Sequence, residues 1–152
     1  MNRYTLEGLM QEFSQNEQKQ KTSYLQLYSF LNSIIEITII EQAEGYVMFK
    51  YMDKKMVLLS NAEYDRMRII SPITDFTSLA PKIKDDLMVA NFHSTLDARY
   101  AVTENTLYAA FMHRLSSLEL EDFQSAIKQV YNLNKNFSTT YSSAQIEFTK
   151  KK

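Results

Sequence analysis

The chain has 152 residues, 45% hydrophobic and 23% charged, with 17 Lys and Arg against 18 Asp and Glu and no cysteine. This size and balance suit one globular domain with its own core. The missing cysteines exclude disulfides, iron–sulfur clusters, thiolate zinc sites and cysteine nucleophiles, and a net charge of -1 removes the usual argument for nucleic acid or an anionic membrane.

No stretch reads as a signal peptide. The most apolar run, Ile34–Ile40, is broken by Glu36 and falls far short of the ~20 apolar residues of a spanning helix. The expected compartment is the cytoplasm.

Near the start, Leu6, Leu9, Met10 and Phe13 share one helical face, and Ser14–Lys21 then has no apolar residue. Residues 1–21 are therefore expected to form an N-terminal helical arm or linker. Tyr24, Leu27, Tyr28, Leu31, Ile34 and Ile35 recur at three- and four-residue spacing, which predicts a helix over residues 22–36. Its end is left open, because the β-branched Ile37–Ile40 favours strand.

The period then changes to two. Val47, Phe49 and Tyr51 alternate with Tyr46, Met48, Lys50 and Met52, Asp53-Lys54 makes a turn, and Lys55–Ser60 is a second strand. Tyr64–Ile70 is a third, with Arg66 and Arg68 opposite Met67 and Ile69, giving an antiparallel meander. Pro72 and Pro81 bracket a loop. Lys82–His93 follows as a helix with Ile83, Leu87, Ala90 and Asn91 on one stripe. Ala98–Val102 and Leu107–His113 form a second hairpin. Ser116 with Glu119 matches a capping box for the closing helix, lined by Leu120, Phe123, Ile127, Val130, Leu133 and Phe137. The polar residues from Ser138 are expected to be loose, with one domain over 22–141 and a flexible basic tail over 142–152. The class is α+β: an antiparallel five-stranded sheet with helices, in the order α-(α)-β-β-β-α-β-β-α.

Chemistry finds little support. His93 with Asp97 four residues on could be a base oriented by a carboxylate, but a histidine near a helix C-terminus, where the dipole favours positive charge, is the better reading. Asp85-Asp86 and Glu121-Asp122 point about 100° apart on their helices and cannot share a site. No Walker, Rossmann or G-x-S-x-G pattern occurs, no His spacing fits zinc, and no cofactor is called for. The lysines are dispersed without interleaved aromatics. What stands out is a soft apolar surplus: Met48, Met52, Met56 and Met67 in the first three strands, with tyrosines beside them. One layer of helices covers mainly one face of a sheet, so something else must cover the second.

In this order of elements the chain resembles the type III secretion chaperone-like family, including its YbjN-like branch. EGYVMFKYMDKKMVLLSNAEYDRMRI resembles the first three strands. KIKDDLMVANF, with Ala90-Asn91, resembles the middle helix, and LDARYAVTENTLYAAFMHRLSSLELEDFQSAIKQV resembles the last hairpin and closing helix. The resemblance covers about Ser23–Phe137. It implies a non-enzymatic, cytoplasmic, usually dimeric binder of an unfolded protein segment. Carried onto this sequence, it implies a partner surface of Tyr24, Tyr28, Leu31, Met48, Tyr51, Met52 and Met56, and pairing through Leu87, Ala90, Asn91, Tyr100 and Val102. Edge-strand pairing plus side-chain pockets would hold the segment. Two other readings remain open: a small hydrolase or ligand-binding regulator using His93, Asp97 and Glu104, and a homodimer subunit with no open groove.

Overall fold

The alternation from Tyr46 onward folds as the sequence predicts, and the strand before it adds one more. The computed structural model describes residues 6–7 and 24–144. Residues 24–32 are helical (α1). β1 (Ile37–Ala43), β2 (Tyr46–Tyr51), β3 (Lys54–Asn61) and β4 (Arg66–Asp75) follow, then a 3-10 turn over Phe76–Ser78, α2 (Pro81–His93), β5 (Arg99–Thr103), β6 (Thr106–Arg114) and α3 (Leu120–Lys135). Among the described residues the strands make one antiparallel six-stranded sheet in the order β1-β2-β3-β4-β6-β5.

The sixth strand is the β-branched run whose fate the sequence left open. Helix α1 stops where Ser33 Oγ donates to the Phe30 carbonyl at 2.7 Å, and Ile37 and Ile39 pair with Tyr51 and Phe49. The β1–β2 turn needs its glycine: Gly45 has φ +76, and a Cβ there would meet the Ser60 carbonyl at 3.1 Å.

Three further expectations are corrected. Pro72 does not open a loop but lies inside β4, where the β4–β6 register shifts between Pro72 and Thr74. A bulge tolerates a residue that has no N–H to give. The capping box of α3 is Glu119 with Asp122, not Ser116 with Glu119. Ser116 instead gives its N–H and hydroxyl to the Asp65 carboxylate, tying the start of the α3 connection to the β3–β4 turn. Residues after 137 are not loose as far as they are described: Ser94 Oγ donates to the Tyr141 carbonyl, Ser143 is 2% exposed, and its N–H and hydroxyl bond to the carbonyls of Ser94 and Thr95. Packing thus continues past the expected boundary at 141. The remaining tail from 145, and nearly all of the expected arm over 1–21, lie outside the described residues.

The core occupies one face of the sheet. Val47, Phe49 and Tyr51 of β2, Met56 and Leu58 of β3, and Met67 and Ile69 of β4 meet Leu27 and Leu31 of α1 and Phe123, Ile127 and Val130 of α3. Phe30 packs on Phe123 with ring centroids 5.6 Å apart. Helix α2 reaches this core with Leu87 and Ala90. Gln129 of α3, buried, fixes the entry to β5: its Oε1 accepts from the N–H groups of Asp97 and Ala98, both at 3.0 Å. Such pairing is what a buried amide side chain requires.

Candidate functional site

The structure divides the expected partner residues in two. Leu31, Tyr51 and Met56 are core, with Met56 opposite Phe49 across β2–β3. They cannot reach a partner in this fold. The reason is the two-residue period: Tyr51 falls on the stripe of Val47 and Phe49, which α1 and α3 cover. Tyr24 and Tyr28 are half-buried on α1, their rings stacked at 6.4 Å. Met48 lies half-buried on the opposite face of the sheet. Met52 is 52% exposed in the two-residue β2–β3 turn, with φ 54.

The sequence reading missed several exposed apolar side chains: Ile35, in the α1–β1 connection beside the Glu36 carbonyl that accepts from the Met52 N–H, Ile40 on β1, and Leu25 near the start of α1. Strand β1 is an edge, paired on one side with β2. The turn carrying Met52 is held over α3 by Tyr131, whose hydroxyl donates to Asp53 Oδ1 at 2.9 Å. That bond holds the Asp53 carboxyl below the usual carboxylate range and the Tyr131 phenol above the usual tyrosine range.

The expected pairing residues are also displaced by one helical face. Leu87, Ala90 and Tyr100 are buried within the subunit. Asn91 is engaged as well: its side chain donates to the Tyr100 carbonyl at 3.0 Å and accepts from the Tyr100 N–H at 2.8 Å, standing in for a neighbouring strand. Val102 alone is exposed. What α2 presents outward is Met88, Val89 and Phe92, the last 74% exposed. Apolar residues occur all around this helix, so spacing could not select the inward side.

The hydrolase constellation does not assemble. Strand β5, five residues long, separates Asp97 from Glu104 by roughly 16 Å at the rise of an extended chain. Asp97 accepts instead from Gln129 Nε2 at 3.3 Å, and His93 Nδ1 has no hydrogen-bond partner among the described residues. Nor do the described residues include a group of three or more side chains fit to hold a metal ion, or a helix long and apolar enough to cross a membrane.

The sheet face away from the helices has its own pattern. Cross-strand pairing aligns Met48, Val57, Ile70 and Ala110 in one row. A second row holds Tyr46, Leu59, Arg68 and Met112, the last 56% exposed.

No protein-family model matches the chain, and no curated protein matches it in sequence. Solved structures do. A chain of the HopA1–SchA chaperone–effector complex matches with a TM-score of 0.56 at 10% identity, over 72% of this chain and 87% of that one. A chain of the heterodimeric ExoU–SpcU complex from the type III secretion system of Pseudomonas aeruginosa matches with a TM-score of 0.52 at 12% identity, over 72% and 92%. This protein has the α+β fold of the type III secretion chaperone-like proteins, with an open antiparallel sheet of six strands.

Proposed function

We propose that this chain is a non-enzymatic module that holds an extended or partly unfolded segment of a partner protein, and that it works as a cytoplasmic homodimer. The observation that carries the reading is the β1 margin: an edge strand carrying exposed Ile40, with exposed Ile35 and Met52 at its start. Edge backbone offers hydrogen bonds to an added strand, and the side chains offer apolar contact along it. The fold shared with chains of chaperone–effector complexes points the same way. Of the residues first expected at this surface, Met52 lies on this margin, and Tyr24 and Tyr28 stay half-buried on α1.

For the homodimer the better surface is Met88, Val89 and Phe92 of α2 with Val102 of β5, since three exposed apolar side chains on one helix call for a covering partner. Size exclusion with light scattering should return twice the subunit mass for the native chain and the subunit mass for Phe92→Asp; a native chain that stays monomeric at every concentration refutes the dimer. Ile40→Asp combined with Met52→Asp should keep the circular dichroism spectrum and lose the partners captured by the native chain in a pull-down. Unchanged capture by that variant removes the β1 margin from the reading.

A further inference from the structure

We infer that the outer face of the sheet, the one turned away from α1 and α3, is a docking surface for an acidic amphipathic helix of a partner protein. The inference rests on the protein-binding reading above and adds the chemistry of the bound segment.

Three observations carry it. First, the face is apolar at its centre, and no helix among the described residues packs on it. Met48, Val57 and Ile70 are only half-buried, and Ala110 beside them is, among the described residues, the one buried apolar residue outside the core. Second, this face carries like charges directly opposite one another on both flanks of the apolar row. Lys50 faces Lys55 near the β2–β3 turn, and Arg66 faces Arg114 at the other end, with Arg68 two residues along. Like charges opposed across strands are destabilising, so two such pairs on one face call for an anionic partner. Among the described residues no carboxylate lies within ion-pair distance of any of the five. The strands place two acidic residues on this face: Glu41, opposite Met48 at the β1 bulge, and Asp75, opposite Thr106 at the far end of β4, whose carboxylate already accepts from the N–H and hydroxyl of Thr77. Arg99, also on this side, already donates to Thr95 Oγ1 and to the carbonyls of Leu96 and Ala98. Third, a hollow of about 400 Å³ opens beside the arginines, lined in part by Leu59, Tyr64, Arg66 and Arg68, which suits an apolar side chain next to a carboxylate.

Geometry selects a helix. The four-residue row spans three strand intervals, about 14 Å, which matches between two and three helical turns. A helix with apolar residues at i, i+3, i+4 and i+7 and carboxylates on both flanks would lie along the row with its charges over the two basic pairs. Nucleic acid fits less well, because the centre of the face is aliphatic and offers few aromatic rings for bases.

The test uses the full chain and two synthetic helical peptides, each with a leucine stripe, one flanked by glutamates and the other by lysines. Fluorescence anisotropy at low salt should give the glutamate peptide a Kd lower by roughly tenfold or more, with the advantage shrinking at high salt. Amide signals of Met48, Val57 and Ile70 should shift on its addition. Arg68→Glu with Arg114→Glu should reverse the preference. The shift measurement on the native chain decides the matter should that variant fold poorly. Equal binding of both peptides, shifts confined to β1 or α2, or displacement of the peptide by a single-stranded oligonucleotide overturns the inference. So does a native chain whose outer-face signals move only with its own concentration, which would make a second copy the occupant. None of these outcomes touches the β1 margin, which stands or falls with the Ile40→Asp, Met52→Asp variant.

Discussion

Arg66 and Arg114 are register partners across β4 and β6, so two guanidinium groups leave the same face of the sheet from adjacent strands. Arg66 turns part of its charge toward the Tyr64 and Asp65 carbonyls. Replacing Arg114 by glutamate converts the opposed pair into an attractive one. We expect Arg114→Glu to raise stability by roughly 0.2–1 kcal/mol, read as a higher urea midpoint with an unchanged slope. A lower midpoint would mean that the two side chains do not repel.

Met52 occupies a left-handed position with φ 54, a conformation that disfavours any residue with a Cβ. Met52→Gly should stabilise the hairpin by about 0.5–1 kcal/mol. The same substitution removes an exposed apolar side chain from the β1 margin. A variant that melts higher and captures partners less well is the expected pairing; one that melts higher with undiminished capture would free Met52 of any part in binding.

Gln129 satisfies two backbone donors at the start of β5, the buried N–H of Ala98 and the N–H of the exposed Asp97. In Gln129→Leu both N–H groups lose their acceptor inside the protein. At 1–3 kcal/mol for the orphaned buried N–H of Ala98, with the exposed Asp97 free to turn to water, the loss should be about 1–3 kcal/mol. Amide exchange should speed most at Asp97 and Ala98. Slow exchange there would show that water or a shifted loop replaces the amide.

Burial, reinforced by the neighbouring Tyr141, pushes the Tyr100 phenol well above the ordinary tyrosine range, and its hydroxyl donates to the Leu133 carbonyl at 2.7 Å. An acid whose pKa is raised by folding stabilises the native state fully below its unfolded pKa, near 10, and that contribution fades as pH climbs from there toward the folded value. Stability should therefore fall above about pH 10. Tyr100→Phe should be less stable at neutral pH by about 1 kcal/mol, for the lost hydrogen bond, and its alkaline decline should be shallower. An unchanged alkaline limb would assign the effect to other tyrosines.

Much of the fold was legible because the sheet alternates cleanly: Val47, Phe49 and Tyr51 inward, Met67 and Ile69 inward, Arg66 and Arg68 outward. The sixth strand was less so, since Ile34–Ile40 satisfies a helical stripe and a strand propensity at once, and only pairing with β2 decides between them. The candidate surfaces were read less well. A buried tyrosine such as Tyr51 and a half-exposed one such as Tyr28 look alike in sequence. On α2, Leu87 and Phe92 compete for the inward side, and packing of Leu87 and Ala90 into the core settles it. The basic flanks of the outer face depend on register, which brings Arg114 opposite Arg66 from a strand nearly fifty positions away.

The strand order puts β1 and β5 at opposite margins, five intervals or about 24 Å apart. A copy seated along α2 and β5 would therefore leave β1 untouched, and a two-fold pair would carry its two free edges at its far ends. Such an assembly would have room for two guests at once, or for one long tether reaching around both halves, and filling one margin would not crowd the other.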